Sequence, residues 1–220
     1  RKSGRKSKPN LLVGLSAGGG LLLVVALVWM LWPSEPDGDV ANNSADVANN
    51  SADVELSEST DAVASIKKLG GKVFLDEKKP DKPVTTVLFA SSTKVTDAGL
   101  VHLKGLTSLQ TLNLYSPKVT DAGLIHLKEL TSLRELSLSY STGLTDAGME
   151  HLKGLTSLQT LKLKYTQVTD AGLVHLKGMT SLQILEINST AVTDAGLIHL
   201  KGLTSLGALF LRETEVTDAG

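Results

Sequence analysis

The feature that most constrains this chain is a four-residue motif, TDAG, that recurs at a nearly constant interval. The motif begins at residues 96, 120, 145, 169, 193 and 217, so successive copies are 24 or 25 residues apart. A fixed period of roughly 20–50 residues is typical of solenoids and arrays, in which each repeat buries its apolar face against its neighbours. We therefore expect stacked units over this region, with contacts mainly between adjacent repeats.

The repeat contains two recognisable local patterns. Its consensus is VTDAGLxHLKGLTSLQxLxLxxT, as in VTDAGLVHLKGMTSLQILEINST from Val168. The part LxxLxL alternates apolar and other residues, which predicts a short strand with one face inward. The part GLxHLKGL places apolar residues three apart, which predicts a short helix.

These motifs closely resemble leucine-rich repeat proteins, in particular the subtype whose repeat contains a TDxGL segment. The resemblance covers residues 84–220 and implies an α/β solenoid, with a parallel sheet on the concave side and short helices on the convex side. Most of the family has asparagine or cysteine at the turn after the strand. This chain has Pro117 there in one repeat and threonine in the others: Thr93, Thr142, Thr166, Thr190 and Thr214.

Two polar columns have expected local roles. The aspartate of each TDAG precedes the helical segment, where we expect it to N-cap the helix and complement its dipole. The glycine after the last helical lysine is expected at a left-handed C′ position, at Gly105, Gly154, Gly178 and Gly202, with Glu129 breaking the column. The six aspartates are Asp97, Asp121, Asp146, Asp170, Asp194 and Asp218.

Residues 61–83 are predicted to form an amino-terminal cap over the first repeat. Apolar residues at helical spacing predict a helix that Gly70 and Gly71 end, followed by a strand over 72–76 and a polar turn. The sequence begins with Arg1 and stops inside a repeat, so we expect it to be a fragment of a longer protein.

The amino end has the pattern of a membrane anchor. Residues 11–32 contain no charged residue, and 22 residues span about 33 Å as a helix, enough to cross a hydrocarbon core of about 30 Å. Trp29 and Trp32 lie where an interfacial belt is expected. A cleaved signal peptide is the alternative, but its apolar stretch is usually shorter and is followed by a small-residue cleavage site. We predict a transmembrane helix, with Gly14 and Gly18 as a possible weak self-association face.

The flanking charges predict its orientation. Residues 1–10 form a basic segment with five basic residues and no acidic one, whereas residues 33–60 carry seven acidic residues and no basic one. By the positive-inside rule the amino end is cytoplasmic and the repeats are exported to the periplasm or the cell exterior. Residues 33–60, with VANNSAD at 40–46 and 47–53, are predicted to be a disordered stalk.

Composition excludes several classes of chemistry. Zero cysteines exclude a disulfide framework and a thiolate nucleophile, and a pI near 6.6 argues against nucleic acid as a partner. No P-loop, GxSxG or HExxH motif is present. All histidines occupy one repeat column, which repeat duplication explains better than a metal site: His102, His126, His151, His175 and His199. We predict no catalytic residue, metal site or cofactor.

The candidate site lies on the predicted concave face, where side chains differ from repeat to repeat. Tyrosine and arginine are favoured contact residues because each combines a large area with a polar group. We expect four residues to form the main contact patch, namely Tyr140, Tyr165, Lys162 and Lys164. The full set of predicted partner-binding residues is Tyr115, Arg134, Tyr140, Lys162, Lys164, Tyr165, Glu186 and Arg212.

These features together predict a membrane-anchored, exported repeat module that binds a protein or peptide and is not an enzyme. The absence of terminal cysteine caps, the 24-residue period and the charge asymmetry favour a bacterial source. Two alternatives stay open. In the first, the module is the sensor of a receptor-like serine/threonine kinase whose cytoplasmic domain precedes Arg1. In the second, it is a structural or adhesive repeat protein of the envelope.

Overall fold

The computed structural model describes residues 52–90 and 94–220, which belong to one compact unit, Ala48–Gly220. Within these residues, no helix is both long and apolar enough to cross a membrane. Three predicted segments fall wholly or mostly outside them: the basic segment 1–10, the membrane span 11–32 with Gly14 and Gly18, and the stalk 33–60.

The first element is helix α1, Ala52–Lys68, which begins before the predicted cap. Residues 52–60 were expected to be disordered stalk, but they are helical. Alanine, leucine and glutamate favour helix, and the two lysines of the last turn complement the helix dipole. Helical propensity in this segment therefore continues upstream of the apolar residues by which the helix was recognised.

Helix α1 packs closely on the first strands. Gly70 has a left-handed φ of 87° after the helix, and the next residue, Gly71, lies against Ile66 and Phe89. A Cβ at Gly71 would lie 2.6 Å from Ile66 Cγ2, so only glycine permits this approach. Ile66 and Phe89 are fully buried as a result. The helix thus covers the apolar side of the first coil.

Each repeat forms one coil of a strand, a turn, a four-residue α-helix and a 3₁₀ turn. The strands are β1 Lys72–Leu75, β2 Val84–Phe89, β3 Thr111–Leu114, β4 Glu135–Ser137, β5 Thr160–Lys162, β6 Ile184–Glu186 and β7 Ala208–Phe210. The helices are α2 Asp97–Leu100, α3 Asp121–Leu124, α4 Asp146–Met149, α5 Asp170–Leu173 and α6 Asp194–Leu197. The 3₁₀ turns are Val101–Leu103, Ile125–Leu127, Glu150–Leu152, Val174–Leu176 and Ile198–Leu200.

The seven strands form one sheet in sequence order. Strand β1 pairs with β2 antiparallel, and every later pair is parallel. The register aligns one leucine of each coil, so that Leu112, Leu136, Leu161 and Leu185 form a continuous buried row. The predicted α/β solenoid of parallel strands and short helices is confirmed, and its core is a ladder of stacked aliphatic side chains.

Threonine, not aspartate, is the N-cap residue of the five described short helices, and in all but the first, at Thr96, its hydroxyl accepts a cap hydrogen bond. Thr120 has an extended backbone, and its Oγ1 accepts a hydrogen bond from the Ala122 N–H at 3.3 Å. The prediction that Asp97 and its equivalents are N-caps is therefore wrong, because each aspartate is the first helical residue. The same threonine cap recurs at Thr145, Thr169 and Thr193.

Each of these aspartates instead joins its coil to the next one. The Asp97 carboxylate accepts hydrogen bonds from the N–H and Oγ1 of Thr120, at 2.8 and 2.7 Å. The glycine of the motif leaves room for this carboxylate. A Cβ at Gly172, for example, would lie 2.5 Å from Oδ1 of Asp146. The inter-coil pairs after the first are Asp121–Thr145, Asp146–Thr169, Asp170–Thr193 and Asp194–Thr217.

Of the four glycines predicted to be left-handed after the helix, only the one in the first described coil has that conformation. Gly105 has a φ of 85°, but the equivalent glycines do not have positive φ, so the prediction for them is wrong. In the first coil Lys104 leaves the helical region with ψ at 134°, whereas Lys128 and its later equivalents stay helical. The chain then needs no left-handed residue, which explains why Glu129 is tolerated. The three glycines concerned are Gly154, Gly178 and Gly202.

A buried hydroxyl residue closes the turn after the strand. In the later coils a threonine does so, as Thr166 Oγ1 donates to the carbonyl three residues earlier at 2.7 Å. In the longer 25-residue repeat the buried residue is Ser141, whose hydroxyl donates to the Ser116 carbonyl at 3.2 Å. Thr142 and Pro117 were expected at this position, but both are exposed, because the serine before each of them takes the buried place.

Candidate binding surface

One side of the sheet carries the side chains that alternate with the buried leucines; we call it the sheet face. Its central row, in register order, consists of Leu88, Asn113, Ser137, Lys162, Glu186 and Phe210. The core rows repeat one residue type, whereas this row contains apolar, polar, basic and acidic side chains in turn. The sheet face therefore has a distinct chemical sequence along the array.

Three tyrosines stack at the end of the strands. The ring centroids of Tyr115 and Tyr140 are 4.7 Å apart, as are those of Tyr140 and Tyr165, with interplanar angles of 35° and 39°. These are all the tyrosines of the chain. Tilted stacking at this distance is a favourable aromatic geometry. We call this group the tyrosine stack.

The backbone at two of these tyrosines is left-handed. Tyr140 has a φ of 67° and Tyr165 a φ of 57°, and Ser189 and Glu213 have the same conformation in the next coils. For a residue with a Cβ this region costs about 1–2 kcal/mol. Stacking contributes about 0.5–1.5 kcal/mol per aromatic pair, which offsets much of this cost. The turn and the neighbouring rings therefore fix the direction in which the tyrosines project.

Burial and neighbours keep the first phenol of the stack protonated. The pKa of Tyr115 is raised to about 12, first by its removal from water, and then by the hydrogen bond and charge interaction with Tyr140. The negative charge of Glu186 adds to the shift. The phenol of Tyr115 therefore stays protonated to a higher pH than that of an ordinary tyrosine, which is itself neutral at physiological pH.

Two lysines lie on the coil that contributes the last ring of the tyrosine stack. Lys164 Nζ lies 5.1 Å from the centroid of the Tyr165 ring, which is within cation–π range. Lys162 is exposed on the central row of the sheet face. Among the ion pairs of residues 60–90 and 94–220, none involves either lysine. Their positive charges are therefore available to a partner.

Comparison with known proteins identifies the repeat. Residues 131–192 match the family model for the leucine rich repeat. These residues therefore form leucine-rich repeats. No curated protein sequence matches it.

Several solved structures show a low overall likeness to this chain. An internalin C2 from Listeria monocytogenes has 19% identity and a TM-score of 0.41, with 72% of this chain and 86% of that chain covered. An internalin (inlF) from the same organism has 21% identity and a TM-score of 0.25, with 54% and 52% covered. The PEPR1-AtPEP1 structure has 18% identity and a TM-score of 0.38, with 66% and 23% covered. This chain thus spans about half and about a quarter of the last two, and at these TM-scores none of the likenesses supports a conclusion about function.

The structure brings several of the predicted binding residues together. Tyr115, Tyr140 and Tyr165 form the tyrosine stack with Lys164 against its last ring. Lys162 lies on the same coil, two residues before Lys164. These five side chains, four of which were predicted as the main patch, lie on three adjacent coils.

Other predicted binding residues are engaged within the chain. Glu186 Oε1 accepts from Asn188 Nδ2 at 3.0 Å, and Asn188 Oδ1 accepts the Arg212 N–H at 2.7 Å. The Arg212 side chain pairs with Glu213 at 3.4 Å. Arg134 precedes β4, at the opposite end of that strand from Tyr140. Glu186 and Arg212 are thus already paired within the chain, and Arg134 lies away from the tyrosine stack.

Two further features of the sheet face had no signal in the sequence. Ser139 lies between Ser137 and Tyr140 and is almost fully buried, with its hydroxyl 3.4 Å from that of Ser137. Asn113 Oδ1 and Gln159 Oε1 are buried without a hydrogen-bond partner. Serine and amide residues are common in every repeat turn, so composition did not distinguish these positions.

The histidine column lies on the helical side of the array, with each histidine half-buried in a 3₁₀ turn. Within the described ranges, no three histidine or acidic side chains are grouped so that they could hold a metal ion. Glu150 lies near this column, and its pKa is lowered mainly by a hydrogen bond from Lys153. The histidine column is therefore a periodic surface.

Proposed function

We propose that this protein is a membrane-anchored, exported leucine-rich repeat module that binds a protein or peptide through its sheet face, without catalysis. A leucine-rich repeat domain is consistent with protein or peptide binding. The observation that carries the proposal is the tyrosine stack with Lys164 beside it, at the end of three adjacent strands. Its rings are held in place, so little side-chain entropy is lost when a partner binds.

Burial favours the sheet face over the helical side. Tyr115 and Tyr140 are half-buried, and Tyr165 is 39% exposed, so the stack offers apolar area and phenol groups to solvent. The helical side also exposes apolar residues, but these are aliphatic side chains at one equivalent position of several repeats, namely Val101, Ile125, Val174 and Ile198. Amphipathic aromatic residues dominate the energy of protein interfaces, whereas isolated exposed aliphatic residues are common on any surface.

Selection from a random dodecapeptide library displayed on phage tests the binding function. We expect the 220-residue chain to enrich specific peptides, and Tyr140→Ala with Tyr165→Ala to abolish that enrichment. The matched control removes exposed apolar area on the helical side by Ile125→Ala with Ile198→Ala, and should leave the enrichment unchanged. The proposal is wrong if no peptide is enriched by the unaltered chain, or if the tyrosine variant enriches the same peptides equally well. Circular dichroism establishes that each variant is folded.

Membrane attachment is the second part of the proposal. It is supported by the uncharged residues 11–32 and by the basic residues that precede them. We expect the chain to remain in the membrane fraction after alkaline washing, and a chain lacking 11–32 to be released. Protease should digest the repeats when it is added to cells whose outer membrane or cell wall is permeabilised and whose cytoplasmic membrane is intact. Protection of the repeats under those conditions would contradict export.

A further inference from the structure

The two lysines of β5 and its turn lie directly beside two small hydroxyl residues of the preceding coil. Ser137 pairs with Lys162 in the strand register. One step further, the Tyr140 N–H donates to the Lys164 carbonyl at 2.7 Å, so Ser139 and Lys164 are also neighbours. The four side chains form two adjacent pairs on the sheet face. We call these four residues the serine–lysine step.

The serine–lysine step is a concentration of hydrogen-bond donors and positive charge. Both ammonium groups lack an ion pair in the part of the chain that the structure describes. Serine side chains are short, so the surface above Ser137 and Ser139 is lower than the flanking Tyr140 ring and lysine chains. A hydroxyl and an ammonium group both donate to carboxylate oxygens, and bonds to a charged acceptor are about twice as strong as neutral ones.

Glu186 determines on which side of the lysines an acidic group fits. It pairs with Lys162 in the register on the side away from the serines, and its carboxylate accepts from Asn188 instead of forming an ion pair with Lys162. A second negative charge on that side would be repelled by Glu186. On the side toward Ser137 the acidic residue of the same strand face is Glu135, which pairs with Thr160 and not with Lys162 in the register, so this side is the more favourable one.

We infer that the partner segment is acidic, and that one of its side-chain carboxylates binds above the half-buried Ser137 against the ammonium groups of Lys162 and Lys164, with the buried Ser139 beneath it. This inference rests on the proposed function and specifies its partner class. The neighbouring Tyr140 and Tyr165 rings contact the apolar parts of the same segment. The step supplies charge selectivity, and the tyrosine stack supplies contact area.

The composition of the selected dodecapeptides tests this inference. We expect the peptides enriched by the 220-residue chain to contain more aspartate and glutamate than the starting library. Lys162→Glu with Lys164→Glu should remove that bias. The matched control is Lys177→Glu with Lys201→Glu, which changes the net charge equally at exposed positions on the helical side and should retain the bias. The inference is overturned if the Lys162→Glu, Lys164→Glu variant enriches peptides that are as acidic as those enriched by the control variant.

Affinity measurement gives a second readout on the peptide that is enriched most. By fluorescence anisotropy we expect it to bind the Lys162→Glu, Lys164→Glu variant about tenfold more weakly than the unaltered chain, because two attractions become repulsions. Its affinity for the unaltered chain should also fall as sodium chloride is raised. An affinity that is independent of salt and of this variant overturns the inference.

The outcomes separate the two proposals. Enriched peptides that lack acidic residues, and whose binding is lost in the Tyr140→Ala, Tyr165→Ala variant, leave the binding function standing and overturn the acidic partner. The absence of any enriched peptide overturns both. Acidic peptides whose binding needs the lysines but not the tyrosines support the serine–lysine step and contradict the role of the tyrosine stack.

Discussion

At the residue scale, the TDAG motif is explained by four different physical roles. The threonine caps the helix and donates to the preceding aspartate, while the aspartate accepts from the following coil. The alanine is exposed, and the glycine leaves the space that the aspartate of the preceding coil occupies. The motif recurs because every coil must meet its neighbour in the same way, and three of its four positions take part in that contact.

The glycine of the motif should not tolerate a methyl group. A Cβ at Gly172 would lie 2.5 Å from Asp146 Oδ1 and 2.9 Å from Val168 Cγ1, so Gly172→Ala must displace the carboxylate or the coil. We expect a loss of about 2 kcal/mol in the free energy of unfolding, measured by urea denaturation. Gly178→Ala is the matched control, because nothing lies within 4 Å of its Cβ position and its φ is not positive. Equal effects of the two substitutions would contradict the steric explanation.

The left-handed turn position gives a second prediction at this scale. Ser189 has a φ of 55° and lacks the ring contacts that stabilise Tyr140 and Tyr165. Ser189→Gly should therefore be more stable than Ser189→Ala by about 1 kcal/mol, because glycine adopts this conformation without strain. Both variants lose the exposed hydrogen bond to Glu213, so their difference isolates the backbone. Thermal unfolding of the two variants measures it, and equal stability would show that the turn is unstrained.

At the scale of the element, the sequence predicts what repeats with apolar spacing and misses what depends on contact between coils. The leucine alternation predicts strands β3 to β7 because an inward side chain is needed at each coil, whereas the inward residues of β2 are Val84, Val87 and Phe89. The role of Asp97 was mistaken because an aspartate before a helix favours a cap, whereas its partner, Thr120, is 23 residues away. Helix α1 starts earlier than predicted, since the acidic and small polar residues that dominate 52–60 indicate a disordered stalk.

The bond between Asp194 and Thr217 makes stability depend on pH. The pKa of Asp194 is lowered by hydrogen bonds from the Thr217 hydroxyl and N–H. Because its folded pKa lies below the unfolded value of about 3.9, its contribution is complete above that value and is lost as pH falls through the folded pKa.

Removing the hydroxyl tests this dependence on a single carboxylate. Thr217→Val should raise the pKa of Asp194 toward its ordinary value, as measured by carbon-detected NMR titration of the carboxyl group. Thr217→Ser retains the donor and should leave the pKa lowered. A pKa of Asp194 that is the same in the valine variant would show that the hydroxyl is not the main cause.

At the scale of the whole molecule, the sheet face could be predicted only as a set of positions. Repeat alignment identifies Tyr115, Tyr140 and Tyr165 as variable residues at the ends of the strands. It does not give their stacking, because Tyr115 follows Leu114 directly whereas Ser139 separates Tyr140 from Leu138. The turn geometry places the three rings in one column despite that difference. Contact between coils is thus the information that sequence spacing lacks, at the binding surface as in the motif.

The order of the strands predicts how far the destabilisation caused by a core substitution extends along the array. Every strand pairs only with its neighbours in sequence, so each coil is stabilised by the coils on either side of it. Ile66 is fully buried between helix α1 and the first strands, and Leu161 is fully buried in β5. We expect Ile66→Ala and Leu161→Ala each to cost about 3 kcal/mol, but in different places. Hydrogen exchange measured by mass spectrometry should show faster exchange from α1 to β3 in Ile66→Ala, with β5 and β6 unaffected. In Leu161→Ala the increase in exchange should centre on β4 to β6 and leave β1 and β2 protected. A uniform increase in either variant would instead show that the array unfolds as one cooperative unit.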